Sequence, residues 1–170
     1  MAFNSSKKLT GNTDALRIAL SGQERYNIQE IETLKAYAGF GGLKAILFGG
    51  GPVEEWVEQN ASANDLRLHP LVIALHNLLR EKLSPDDYKS SIDAMKSSIH
   101  TAFYTPDLVP GALYGALKSQ GILPQRLYEP SSGAGIFLTE ALKAFPDLQE
   151  INAVEKDLLT ESVTAYASKK

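Results

Sequence analysis

A pair of glycines between a short predicted strand and a helical pattern is the part of the sequence best suited to chemistry. Residues 131–135 read SSGAG. Glycines at the carboxyl end of a strand let the backbone approach a ligand closely, and the following helix directs its free N–H groups at that ligand. Glu155 follows about 20 residues later, where an acid accepts hydrogen bonds from two ribose hydroxyls. The pattern predicts a nucleoside site, although such glycines also form plain tight turns.

The glycine turn lacks the spacing of a phosphate-binding loop. The third, close-packing glycine of a dinucleotide site is missing, because Phe137 and Leu138 occupy that region. The turn is also preceded by an acid, Glu129, which would repel a pyrophosphate and attract a cationic amino group. A nucleoside joined to an ammonium group describes S-adenosylmethionine better than NAD.

Helices joined by loops are predicted over residues 1–100, the helical N-terminal region. Asn12 or Thr13 can cap a short first helix, and Asn27 followed by Glu30 forms a capping-box pattern. Three further helix starts are predicted at Pro52, His69 and Ser84.

The character of the chain changes after residue 100. The predicted elements are a helix over 106–121, a strand over 126–129, a helix over 136–145, a strand over 151–155 and a helix over 158–167. Strand, glycine turn, helix and strand in this order make a right-handed βαβ unit. The predicted fold class is therefore α/β and mostly helical.

Three segments occur in an order typical of one enzyme family. Residues 102–106 read AFYTP, residues 129–138 read EPSSGAGIFL and residues 153–157 read AVEKD. In this order they resemble the N-terminal cofactor motif, the glycine-rich motif and the acidic ribose motif of the N6-adenine DNA methyltransferases. Residues 37–43, YAGFGGL, are similar to a segment of large methylase–helicase proteins of phages, plasmids and conjugative elements. The resemblance implies that residues 101–170 form a truncated Rossmann-like domain. We expect S-adenosylmethionine to bind to the complete fold, and weakly or not at all to this chain.

The resemblance also assigns residues to the two ends of the cofactor. Its expected binding residues are Tyr104, Thr105, Pro106, Glu129, Ser131, Gly133, Gly135, Phe137 and Glu155. Thr105 and Pro106 are expected beside the methionine portion. Glu129, Ser131 and Gly133 are expected at its amino-acid end.

The remaining roles concern the nucleoside and the aromatic rings. By resemblance, Glu155 holds the ribose. Tyr104 either lies over the adenine or the sulfonium as a cation–π partner or is simply buried. Phe40, among glycines, either stacks on a ligand or packs back onto the core.

The family's catalytic motif, Asn or Asp followed by Pro-Pro and an aromatic residue, does not occur among the 170 residues. We therefore expect no catalytic residue in this chain and no methyl transfer by it alone. DNA is expected as a partner only through a complete protein. A two-stranded sheet would leave both edges open, which predicts a homo-oligomer. The alternative is a non-enzymatic module for protein or DNA contact that retains relic motifs.

Composition limits the other function classes. The net charge is −3, and no segment is basic enough to bind nucleic acid by charge alone. The chain holds no cysteine, and His69, His76 and His100 lack ligand partners at metal spacing, so no metal is expected. No apolar run is long enough to cross a bilayer. These features predict a soluble, cytoplasmic protein without membrane contact.

Overall fold

Helices make up most of the protein in the computed structural model, which describes residues 4–101 and 104–165. The helices are α1 (Ser5–Ala19), α2 (Ile28–Lys35), α3 (Val53–Glu58), α4 (Ala63–Leu66), α5 (His69–Lys82), α6 (Pro85–Ser98), α7 (Leu108–Ser119), α8 (Ile136–Ala144) and α9 (Leu158–Thr164), with a 3-10 helix at Lys44–Phe48. The strands are β1 (Arg126–Glu129) and β2 (Glu150–Ala153). The expectation of a mostly helical α/β chain is confirmed.

Local capping signals place several of these helices where the sequence predicts them. Asn27 accepts from the Glu30 N–H while the Glu30 carboxylate accepts from the Asn27 N–H, so the capping box is formed. Ser84 caps α6 by accepting from the Asp87 N–H. Proline in the first turn and two acids near the positive end of the helix dipole favour the same start.

The predicted start of the first helix is wrong. Asn4 caps α1, with its side chain accepting from the Lys7 N–H at 2.9 Å. Asn12 and Thr13 lie inside the helix and are buried. Asn12 forms its bonds with a distant segment of backbone, and a contact of this kind cannot be recognised from local sequence.

The sheet consists of two parallel strands in the described residues. Arg126 pairs with Glu150 and Glu129 with Ala153, and α8 connects the two strands. The strand predicted over 151–155 begins one residue earlier, at Glu150, and ends two residues earlier, at Ala153. The Val154 N–H still donates to the Glu129 carbonyl at 2.8 Å, and Glu155 is therefore the second residue past the end of β2.

Two hydrophobic clusters organise the packing. The larger, called the main core here, combines α1, α2, α5 and α6 with segment 37–46 and Trp56. Leu159 and Val163 of α9 belong to it as well, so the main core includes helices from both sides of residue 100. The smaller, called the small core, contains Tyr114, Ala141, Phe145 and Leu148. None of the described helices is long and apolar enough to span a membrane.

Candidate functional site

The glycine turn follows β1 and is closed by its own backbone. Gly133 has φ 50° and Gly135 has φ 76°, a conformation that glycine adopts without steric cost. The Gly135 N–H donates to the Ser132 carbonyl at 2.8 Å, and the Ser132 N–H donates to the Val154 carbonyl at 2.9 Å. The turn is thereby tied to the chain leaving β2, beside Glu155.

Glu155 binds three backbone N–H groups. One carboxylate oxygen, Oε2, accepts from Gly133 at 2.8 Å. The other, Oε1, accepts from Lys156 and from Asp157, both at 2.8 Å. Since a carboxylate offers about four acceptor positions, one position on Oε2 stays open. Glu155 therefore fastens the glycine turn to the start of α9, and it can accept one more hydrogen bond.

Tyr104 lies between two glycines that are far apart in the sequence. A Cβ atom added to Gly39 would be 2.8 Å from the Tyr104 ring, and one added to Gly133 would be 3.2 Å from it. The Tyr104 and Thr160 hydroxyls are hydrogen-bonded at 3.1 Å. The two glycines thus let one aromatic ring lie close to both backbones.

A second tyrosine shares the same threonine. The Tyr37 hydroxyl is 3.4 Å from Thr160 Oγ1, and its ring centroid is 6.4 Å from that of Tyr104. Burial raises the pKa of Tyr37 well above 10, with the nearby Tyr104 as a smaller contribution. Burial also raises the pKa of Tyr104. Both tyrosines therefore keep their hydroxyl protons at neutral pH.

A cavity of about 320 Å³ lies beside these rings. Its lining consists of Tyr37, Gly39, Phe40, Ala94, Met95, Ser97, Ser98, Thr101, Tyr104, Glu155, Lys156, Asp157 and Thr160. It thus combines three aromatic side chains with two carboxylates and several hydroxyls. This volume is at the lower end of the range of about 300–1,000 Å³ for ligand pockets.

The structure brings Tyr104, Gly133 and Glu155 together, as the preceding contacts establish. Phe40, left open between stacking and packing, is buried in the main core, and it also borders the cavity. The segment that carries Tyr104 is described only from that residue onward, so the first two residues of AFYTP lie outside the described part.

The other expected cofactor residues do not line this cavity. Thr105 and Pro106 are exposed. Glu129 accepts from the N–H of the exposed Ser131 at 3.0 Å. Phe137 packs edge-on against Tyr114, with ring centroids 6.3 Å apart, beside the small core. Gly135 is buried, and a Cβ added there would be 3.5 Å from Thr164.

Thr160 and Asn12 are among the residues at or behind the site that sequence reasoning missed. Thr160 is the third residue of α9, and its N–H donates to the capping carboxylate of Asp157 at 2.8 Å. That cap was a usable signal, because Asp157 belongs to the same acidic segment as Glu155. Asn12 gave no such signal, since its partners are 26 and 27 residues away.

A second cavity, of about 460 Å³, lies along β2. Leu138, Leu142, Leu148 and Ile151 give it an apolar floor. Its polar lining includes Ser132, Gln149, Asn152, Glu155 and Glu161. Glu155 therefore borders both cavities.

Comparison of the chain with protein-family models, curated proteins and solved structures gave no match. Residues 4–101 and 104–165 contain no group of three or more His, Asp or Glu side chains able to hold a metal ion. The functional argument therefore rests on the site itself.

Proposed function

We propose that this chain is the cofactor-binding portion of a DNA adenine-N6 methyltransferase, with β1, α8 and β2 as the start of a Rossmann-like domain. One observation carries the proposal. Segments 37–43, 104–106, 129–138 and 153–157, which resemble that family in sequence, meet around Tyr104 and Glu155.

The lining of the smaller cavity fits the adenosine portion of S-adenosylmethionine. Glu155 Oε2 has one open acceptor position for a ribose hydroxyl, and Asp157 and Ser98 add polar groups nearby. Tyr37, Phe40 and Tyr104 offer aromatic surface for a base. Glu129 lies outside this lining, at the end of β1, so it would reach only the amino-acid end of the cofactor.

In this proposal the chain's own residues orient the cofactor and shield it from water, and they do not transfer its methyl group. When bound, S-adenosylmethionine supplies an activated methyl group on a sulfonium, with the thioether as leaving group. Tyr104 presents a neutral ring to such a cation, since burial raises the pKa of its hydroxyl. The 170 residues hold no Pro-Pro sequence. Methyl transfer and adenine recognition are therefore outside the proposal for this chain.

The test is calorimetric titration with S-adenosylhomocysteine. We expect micromolar binding by the parent chain and loss of at least tenfold in affinity, about 1.4 kcal/mol, in Glu155→Gln, because the open acceptor position is altered. Glu150→Gln is the matched control, since Glu150 is an exposed acid on β2, the strand that precedes Glu155. No binding at millimolar ligand would contradict the proposal.

A second candidate function, an interaction module, is favoured by one observation. Leu108, Val109 and Leu113 of α7 are 78%, 52% and 49% exposed, and β1 and β2 pair only with each other among the described residues. An open strand edge is a template for pairing with another chain. The partner proposed is a second copy of this chain, so light scattering should give a dimer mass. A monodisperse monomer would contradict this candidate.

A further inference from the structure

Asn12 is a buried amide in the middle of a helix. It is the eighth residue of α1 and is 1% exposed. Asparagine is a poor residue for a helix interior, and a buried amide requires hydrogen-bond partners. Its partners are both in another segment: Nδ2 donates to the Gly39 carbonyl at 2.6 Å, and Oδ1 accepts from the Ala38 N–H at 2.9 Å. The side chain therefore binds both an N–H and a carbonyl of the 38–39 backbone.

Further bonds hold the rest of this segment. Lys8, one helical turn before Asn12, donates from Nζ to the Gly41 carbonyl at 2.8 Å. The Gly42 N–H donates to the Ile99 carbonyl at 2.7 Å. Segment 38–42 is therefore fixed against α1 on one side and against the end of α6 on the other.

Two residues of the segment fixed in this way, Gly39 and Phe40, line the cavity beside Tyr104. Gly39 has φ 60°, and its Cα is so close to Tyr104 that a Cβ there would be 2.8 Å from the ring. Gly133 lies at the opposite edge of the Tyr104 ring, and its N–H donates to the Glu155 carboxylate. A continuous set of contacts thus leads from Asn12 through Gly39 and Tyr104 to the glycine turn.

We infer that Asn12 is a positioning residue for the cavity. By holding Gly39, it keeps the Tyr104 ring over Gly133, so that the cavity is formed before a ligand arrives. A preformed site binds more tightly, because less ordering cost is left for the binding step. α1 then belongs to the binding site without lining it.

The test uses Asn12→Asp, which keeps the shape and removes the donor to the Gly39 carbonyl. Thr13→Val is the matched control, because Thr13 is buried in the same turn and its hydroxyl bonds only within α1, to the Leu9 carbonyl. Amide hydrogen exchange is measured at Gly133, and as a reference at Leu83, the C-cap residue of α5, whose N–H donates to the Leu79 carbonyl.

In Asn12→Asp we expect exchange at Gly133 to accelerate about tenfold, the range expected for an unsatisfied buried polar group, relative to Leu83. The control should leave the Gly133 rate unchanged. Acceleration of both amides by the same factor, or none at Gly133, would overturn the inference, because Asn12 would then support only the core.

A second variant covers failure of Asn12→Asp to fold. Lys8→Met keeps Asn12 and removes the half-buried bond to the Gly41 carbonyl, so Gly133 should exchange several-fold faster. An unchanged rate there would overturn the inference.

A second readout is the affinity of these variants for S-adenosylhomocysteine, and this readout rests on the proposed function. We expect the affinity to fall about tenfold in Asn12→Asp. If the parent chain does not bind that ligand, the proposed function fails, and the exchange rates still decide the role of Asn12. If the parent binds and Asn12→Asp binds equally well, the positioning role fails alone.

Discussion

The main core and the small core differ in how well their elements cover one another. α1 contains mostly polar residues, yet Leu9, Ala15 and Leu16 are fully buried. α7 contains one charged residue, Lys118, yet its apolar side chains at 108, 109 and 113 are largely exposed. The comparison teaches that packing partners, and not the apolar content of a helix, decide what is buried.

Polar cross-links follow the same division. The glycine loop 49–51 is held by three rings: Trp56 donates to its first carbonyl at 3.2 Å, His69 donates to its third at 3.0 Å, and the His76 ring packs against its middle residue. Around the small core, a bond from the exposed Lys118 side chain to the Ala144 carbonyl links α7 and α8. We therefore expect the main core to unfold as one unit and the small core to open first.

The largest expected effect is a leucine truncation in the main core. Leu75 is fully buried in α5, whereas Leu148 lies at the edge of the small core. Leu75→Ala should lower the free energy of unfolding by about 4 kcal/mol and Leu148→Ala by about 2 kcal/mol, because a small cluster can relax into the cavity. Urea denaturation measures both. Equal losses would remove the distinction between the two cores.

One titrating group, His76 in α5, should make the free energy of unfolding depend on pH, by roughly 3 kcal/mol. Burial, with a smaller contribution from Arg80 and Lys96, lowers the pKa of His76 to about 4. Because the unfolded chain protonates this histidine near its ordinary value of 6.5, stability is full above pH 6.5. It should fall by roughly 3 kcal/mol as the pH drops from 6.5 to about 4.

The control for this effect is His76→Leu, in which that part of the pH dependence should disappear. The loss of the hydrogen bond to the Tyr88 hydroxyl, 2.7 Å from Nδ1, lowers stability in the variant at every pH. The slope against pH is therefore the quantity to compare. An unchanged slope would mean that another group is responsible.

Gly39→Ala should lower the free energy of unfolding by about 2–3 kcal/mol. Gly22→Ala is the matched comparison. Both glycines have positive φ, 60° and 77°, so each alanine variant carries a backbone cost of about 1 kcal/mol. A Cβ at Gly22 meets nothing within 4 Å, whereas one at Gly39 meets Tyr104. The difference in urea stability between the variants therefore measures the Tyr104 contact. Equal costs would show that the ring moves away freely.

Much of the fold could be predicted from local signals. The starts of α2, α5 and α6 each carry a capping residue or a proline, and these act within one helical turn. The strand–turn–helix–strand order could be predicted from glycines between short apolar runs. The exposure of α7 could not, because its apolar stripe has the same appearance in sequence whether or not a partner covers it.

The residue types of the site could be predicted from the sequence, whereas the contacts between those residues could not. Glu155 was expected to bind a ligand, and it binds backbone N–H groups from the glycine turn and from the two residues that precede α9. Tyr104 was expected near the cofactor, and its position depends on Gly39, 65 residues earlier by the numbering. Contacts over such separations depend on tertiary packing, for which one sequence carries no local pattern.

The smallest expected effect compares two helix caps. Asn27→Ala and Asp157→Ala should each lower the free energy of unfolding by about 1 kcal/mol. Asn27 caps the exposed start of α2. Asp157 caps α9, and its own N–H donates to the Glu155 carboxylate that holds Gly133. Amide exchange at Gly133 should therefore accelerate in Asp157→Ala and stay unchanged in Asn27→Ala. If both variants leave Gly133 unaffected, α9 covers the main core without supporting the glycine turn, and the two regions meet at Tyr104 alone.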